Sequence, residues 1–193
     1  MNQYDPQQLL TTVLRQRFRL DRFIGQGAMG MVFYACDLRQ LEQGEPQPYV
    51  AIKILHPALA KDERFLRALQ RESKRCQQLT HPNIVKVFDY DRIDGYSVMI
   101  MEYVAGYNLK ELLHNQSVSD GRRQRWAQQL IDALRYAHRH HIVHADIKPA
   151  NVLIDAQDQL RIIDFGIAQV WTENTAKTVN GFTPAYSELG VLA

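Results

Sequence analysis

His144-Ala145-Asp146-Ile147-Lys148-Pro149-Ala150-Asn151, followed thirteen residues after Asn151 by Asp164-Phe165-Gly166, is the stretch on which the reading of this chain turns. Short apolar runs flank the first cluster, Ile142-Val143 before it and Val152-Leu153-Ile154 after it. They set the polar residues on a loop between buried segments. Asp146 could accept or orient a hydroxyl proton, Lys148 could neutralise a transferring phosphoryl group, and Asn151 could hold a metal. Asp164 precedes a permissive glycine turn. A carboxylate and an amide oxygen converging from separate loops suit Mg²⁺, which prefers oxygen ligands and substrate phosphates.

Upstream, Gly25-x-Gly27-x-x-Gly30-x-Val32 reads as a glycine loop joining two strands between Phe18 and Asp37. Without Cβ atoms, its backbone amides can approach a phosphate. The same spacing in dinucleotide folds leads into a helix, whereas Met31 to Tyr34 continue as strand formers. Alone the motif is equally well a plain glycine hairpin. Lys53 closes the apolar run Val50-Ala51-Ile52-Lys53. It is either an edge lysine in water or a phosphate ligand held by a carboxylate, with Glu72 on the next helix as the candidate partner. Arg71, Lys74 and Arg75 surround Glu72, so local pairing competes. The crowded His138, His140, His141 and His144 lack the cysteine or acid pattern of a zinc site and read as a polar helix end. Arg122, Arg123 and Arg125 have no interleaved aromatics and read as a solvated face.

The 193 residues are 46% hydrophobic and 23% charged, which excludes a disordered or fibrous chain. That length suits one domain or two small lobes sharing a cleft. A net charge of +2 makes no case for nucleic-acid binding. Two cysteines, Cys36 and Cys76, cannot make a disulfide framework and point to a reducing compartment. No apolar run approaches the ~18 residues of a membrane span. The start lacks the charged-then-apolar order of a secretory signal, so a soluble, cytoplasmic chain without membrane partners is expected. Up to the joint at Glu102 to Gly106, the pattern is mostly strand with one helix. That helix is capped by Asp62 and carries Phe65, Leu66, Leu69, Cys76 and Leu79 at helical spacing. Asp94-Gly95 signals a hairpin between strands at Ile84 to Asp91 and Tyr96 to Val104. Beyond the joint come a short helix at Leu109 to His114 and a long one at Gly121 to His140, with Trp126, Leu130, Leu134 and Ala137 as its apolar stripe.

The ordered set of glycine loop, V-A-I-K, helix glutamate, H-x-D-x-K-P-x-N and D-F-G resembles the eukaryotic-type (Hanks-type) Ser/Thr protein kinase family, closest in style to its bacterial members. The resemblance runs from Phe18 to Tyr186. It implies an α+β, protein-kinase-like two-lobed fold: an extension at 1–17 and a kinase domain at 18–193. The N-lobe, 18–103, would hold an antiparallel five-stranded sheet with one helix; the C-lobe, 104–193, would be helical and incomplete. It implies ATP and Mg²⁺ as cofactors. Ile24, Gly25, Gln26, Gly27 and Gly30 would lie over the nucleotide, and Lys53 would contact the phosphates while paired to Glu72. Val32, Ala51 and Leu153 would sandwich the adenine, the backbone from Glu102 to Val104 would hydrogen-bond it, and Met101 would guard the back pocket. Asp146 would orient the acceptor hydroxyl, Lys148 would contact the γ-phosphate, and Asn151 and Asp164 would bind Mg²⁺. Cys76, Val87, His144 and Phe165 match the family's internal hydrophobic stack, which implies buried roles for Cys76 and His144. The expected partner is a protein with a Ser or Thr acceptor. Small-molecule phosphotransferases share H-x-D-x-x-x-x-N, but Lys148-Pro149, V-A-I-K and His81-Pro82-Asn83-Ile84-Val85 fit protein kinases better. Gly181 to Tyr186 resembles the loop that receives a protein substrate.

Two departures carry expectations of their own. The arginine that precedes the catalytic aspartate in the family, and pairs there with an activation-loop phosphate, is Ala145. Phosphorylation of Thr172, Thr175 or Thr178 is therefore expected to be dispensable. After Tyr186 the family continues with A-P-E and further helices, whereas this sequence ends at Ala193. Trp126, Leu130, Leu134 or their neighbours are then expected to form an exposed apolar patch, covered by a partner or a second copy. A truncated fragment and a non-catalytic ATP-binding regulatory module are the rival readings.

Overall fold

Alternation of apolar side chains along short β-prone runs builds the first sheet. The computed structural model describes residues 5–27 and 29–165. Its strands there are β1 (Val13–Leu14), β2 (Phe18–Gly27), β3 (Gly30–Asp37), β4 (Tyr49–Leu55), β5 (Val87–Ile93) and β6 (Tyr96–Glu102), in the order β1-β2-β3-β4-β6-β5. All neighbours are antiparallel. The five expected strands are present, and β1 adds a short sixth. The period of two sorts β4 and β6 between two cores. Val50, Ile52, Ile54, Val98 and Ile100 enter one; Ala51, Leu55, Met99 and Met101 enter the other. Lys53 therefore shares the face of Ala51 and Leu55, which decides where its ammonium goes.

Four helices accompany this lobe: α1 (Pro6–Leu9), α2 (Leu38–Glu42), α3 (Pro57–Ala60) and the long α4 (Glu63–Cys76). Asp62 caps α4 by accepting from the Arg64 and Phe65 amides, two of the donors a helix start leaves unpaired. Phe65, Leu66 and Leu69 pack onto the Ala51 face of the sheet, while Cys76 at the far end joins the core of the second lobe. Asp94 and Gly95, at φ +51° and +84°, make the tight β5–β6 turn. Gly30 is required by close approach, since a Cβ there would lie 2.0 Å from the Ile54 carbonyl oxygen.

In the second lobe, β7 (Gly106–Asn108), β8 (Val152–Asp155) and β9 (Leu160–Ile162) form a small antiparallel sheet. Helices α5 (Leu109–Asn115) and α6 (Asp120–Arg139) accompany it. The expected exposure does not fall on the three named residues of α6: Trp126 is buried and its indole N–H donates to the Asp158 carbonyl, and Leu130 and Leu134 are half-buried against the same core. Ile131, beside Leu130 and Leu134 on the flank of the stripe, is the exposed neighbour. The basic run is also more than a solvated face. Arg122 and Arg125 both bind Asp158, and Arg122 lies over the Trp126 ring, pinning α6 to the β8–β9 turn. The lobes are tied by backbone: Val85 N–H donates to Ile162 O at 2.9 Å, and Ile162 N–H donates to Asn83 O at 2.8 Å. No helix among the described residues is long and apolar enough to cross a membrane.

Candidate active site

The loop from His144 to Asn151 is held by its own side chains. Asn151 donates its Nδ2 to Asp146 Oδ2 at 3.0 Å and to the Asp146 carbonyl at 2.9 Å, which leaves its Oδ1 free to face another group. Lys148 Nζ lies 2.6 Å from Asp146 Oδ2. His144 is buried; its Nε2 bonds the Ile163 carbonyl at 2.7 Å and its Nδ1 accepts the Asp146 amide at 3.2 Å. Both ring nitrogens are thus committed, Nε2 carrying the proton. Burial pushes its pKa below the ordinary 6.5, against the opposing pull of Ile163, Asp164 and Asp146. This is a neutral, structural histidine, and among the described residues no cluster of His, Cys, Asp or Glu could hold a metal by itself.

The second loop comes alongside through backbone. Ile163 N–H donates to the Asn151 carbonyl at 3.1 Å, which brings Asp164 beside Asn151. Phe165 stacks edge-on against His144 with ring centroids 4.7 Å apart, and its carbonyl accepts from Cys76 Sγ at 3.2 Å. Burial pushes the Cys76 thiol up to about 12. Cys76, His144 and Phe165 are buried together, with Val87 bridging two cores. Ala145 and Asp164 both sit in left-handed backbone, φ +64° and +62°. For alanine that conformation costs about 1–2 kcal/mol, and such strain gathers at working loops.

Across the cleft, Lys53 is buried and reaches both carboxylate oxygens of Asp164 at 2.9 Å. The expected Lys53–Glu72 pair is not formed. Glu72 is held by Arg75, one turn along α4, at 2.9 and 3.2 Å, and Arg75 Nη2 also bonds the His141 carbonyl at 2.5 Å. Local pairing has won because Arg75 is an i+3 neighbour whose second bond fixes its guanidinium. Above, Val32, Ala51, Met101 and Val104 line one apolar cluster with Ile163. Ala51 lies in register with both Tyr34 and Met101, and Val32 with Lys53. Ile24, Gln26 and Gly27 are exposed around the end of β2, and Gly25 is half-buried among them. Leu153 lies on β8, in register with Arg161 of β9. Arg161 was not singled out from sequence. Its guanidinium bonds Glu102 at 2.5 Å, a contact between distant strands that no local spacing signals. Thr172, Thr175, Thr178 and Gly181 to Tyr186 lie outside the described residues.

A basic-acidic-amide loop, a second acid beside it and a buried lysine opposite are the kinds of group that phosphoryl-transfer sites use, here set between the lobes of a two-lobed fold. Residues 18–188 match the protein kinase domain family, and the chain belongs to that family. It is 40% identical over 158 residues to a probable serine/threonine-protein kinase of Streptomyces coelicolor, covering 79% of this chain and 23% of that protein. It is 36% identical over 165 residues to the serine/threonine-protein kinase PrkC of Bacillus subtilis, covering 85% of this chain and 24% of that protein. Among solved structures, the PknI kinase domain of Mycobacterium tuberculosis matches with a TM-score of 0.67 and 31% identity, over 81% of this chain and 61% of that one. The bacterial kinase resemblance and the two-lobed fold are borne out. The chain spans about a quarter to a third of the length of several curated relatives.

Proposed function

We propose that the chain is an ATP-dependent Ser/Thr protein kinase domain, transferring the γ-phosphoryl group of ATP to a protein hydroxyl. The observation that carries this reading is the convergence of Asp146, Lys148, Asn151 and Asp164 in one lobe with Lys53, which reaches Asp164 from the other. Asp146 orients the acceptor hydroxyl and takes its proton, and Lys148 lies beside it to offset charge on the transferring group. Lys53 meets the phosphates beneath the glycine loop. Val32, Ala51, Met101, Val104 and Leu153 enclose the adenine, with hydrogen bonds from the backbone around Glu102 to Val104. Asn151 Oδ1 and the Asp164 carboxylate are a hard, oxygen-only donor set, which fits Mg²⁺. When bound, that ion would neutralise charge on the phosphates.

Glu72 belongs to this machinery only once it leaves Arg75 for Lys53, so the described arrangement is a resting one. Transfer of labelled phosphate from ATP with Mg²⁺ to a Ser/Thr acceptor, compared with Asp146→Ala, tests the reading. The expected result is a loss of about 10²–10⁴-fold in the variant with ATP binding retained. Equal transfer by both proteins would refute it. A non-catalytic ATP-binding module is the second reading, favoured by the Glu72–Arg75 pair and by Ala145; ATP binding without transfer, also after Arg75 replacement, would establish it.

A further inference from the structure

We infer that Arg161 is a positioning residue for the adenine end of the nucleotide site, acting through Glu102; the inference rests on reading that site as an ATP pocket. Glu102 ends β6, where the chain crosses from one lobe to the other. Its amide donates to the Lys86 carbonyl at 2.9 Å, and its Oε2 accepts from the Lys86 amide at 3.2 Å and from Arg161 Nη2 at 2.5 Å. The other end of the crossing is fixed by backbone: Gly106 pairs with Asp155, and Ala156 N–H donates to Ala105 O at 3.2 Å. Tyr103 and Val104 lie between these two anchors, with Tyr103 also against the Tyr34 ring and accepting from Arg22. Arg161 is the side chain that joins the first anchor to the second lobe.

Arg161 also lies in register with Leu153, so one residue couples the floor strand of the pocket to its hinge edge. A rigid, forked guanidinium suits this task, because it fixes direction as well as distance. Stability is a poor explanation for it. The Arg161 side chain is 17% exposed, yet its Nε–H is buried with no acceptor among the described residues. An unmatched buried donor opposes folding, and an apolar side chain of similar length would fill the space without that cost. The gain from Arg161 is geometric, and it falls on the segment that holds the base.

The test uses the full chain, with calorimetric binding of ATP–Mg²⁺, adenosine and inorganic triphosphate, together with steady-state kinetics. Arg161→Met is expected to raise the Kd for ATP and for adenosine by the same factor, about five- to twentyfold, since misplacement by a fraction of an ångström weakens oriented contacts. Triphosphate binding and kcat at saturating ATP stay within about twofold, so the loss appears in KM. Arg161→Lys restores part of the affinity, and Glu102→Gln reproduces the defect. The double variant is no worse than the worse single one, because the two residues act as one unit. A folded Arg161→Met protein with wild-type Kd for adenosine overturns the inference, as does a loss shared equally by triphosphate. Glu102→Gln carries the same test if Arg161→Met does not fold. A wild-type chain that binds neither ATP nor adenosine would instead overturn the underlying nucleotide reading.

Discussion

Replacing Arg75 with methionine should speed the proposed phosphoryl transfer. Arg75 holds Glu72 at 2.9 Å and the His141 carbonyl at 2.5 Å. The i,i+3 pair contributes about 0.3–0.5 kcal/mol. A hydrogen bond from a charged donor contributes about 1.5–3 kcal/mol when protected. Arg75 is 45% exposed, and solvent screening brings that bond to about 1 kcal/mol. Together the clamp favours the resting arrangement by about 1.5 kcal/mol, or roughly tenfold in population. Family chemistry requires Lys53 to pair with Glu72 and Asp164 to meet Mg²⁺. At present one ammonium occupies Asp164 and one guanidinium occupies Glu72. On the proposed function, Glu72 freed from Arg75 would be available to Lys53, and Asp164 would then be available to Mg²⁺.

The assay is the initial rate of phosphate transfer to a Ser/Thr acceptor at saturating ATP, with Mg²⁺ varied. Arg75→Met should raise the rate by about three- to tenfold and lower the half-saturating Mg²⁺, as expected when a minor state is populated. Losing the His141 bond should lower Tm by about 2–4 °C. Adding Glu72→Gln should cancel the gain, since the freed residue is then no longer a carboxylate. A variant that binds ATP, melts within that range and transfers no faster than wild type would refute the reasoning.

The Gly30→Ala variant should lose stability, because its Cβ would meet Ile54 O at 2.0 Å; a markedly lower Tm checks this. Gly25→Ala and Gly27→Ala have open space around the added carbon, so they should melt like wild type while KM for ATP rises. Folding stability should fall as pH drops below 6.5. Burial holds His144 and His81 below that value in the folded state, so the unfolded chain takes up protons first. The stability these groups contribute is fully present above 6.5, and His144→Phe should flatten the dependence in urea melts from pH 7.5 to 5.5. Cys76, pushed up to about 12 and bonded to Phe165 O, should resist iodoacetamide at pH 8 until the protein unfolds. Rapid native labelling at Cys76 would contradict its burial.

Much of this fold is legible because local rules decide it. The alternation in β4 and β6, Asp62 before an apolar helical stripe, and Asp94-Gly95 between two strands each prescribe one element. The loop chemistry is legible for a related reason: Asp146, Lys148 and Asn151 are close in sequence, and a tight turn leaves them little freedom to separate. Trp126 was harder, because its burial depends on Asp158, 32 residues away, accepting its indole N–H. The same holds for Arg161, whose partner Glu102 is 59 residues away.

Glu72 shows a different kind of limit. Its sequence neighbourhood contains two answers, Arg75 on its own helix and Lys53 across the sheet, and both are chemically sound pairs. Helical spacing fixes which residues share a face of α4, but not how the whole helix is turned toward the sheet. That turn is set by weak and opposed contacts: Cys76 and Phe65 are committed to different cores, while Arg75 is tied to His141. The two bonds of Arg75 hold the observed pairing by only about 1.5 kcal/mol, a margin that a ligand with differential affinity can offset. In the structure each of these charges is already matched: Arg75 is committed to Glu72 and to the His141 carbonyl, and Lys53 to both oxygens of Asp164, so residues far apart in sequence settle a choice that the helix alone leaves open.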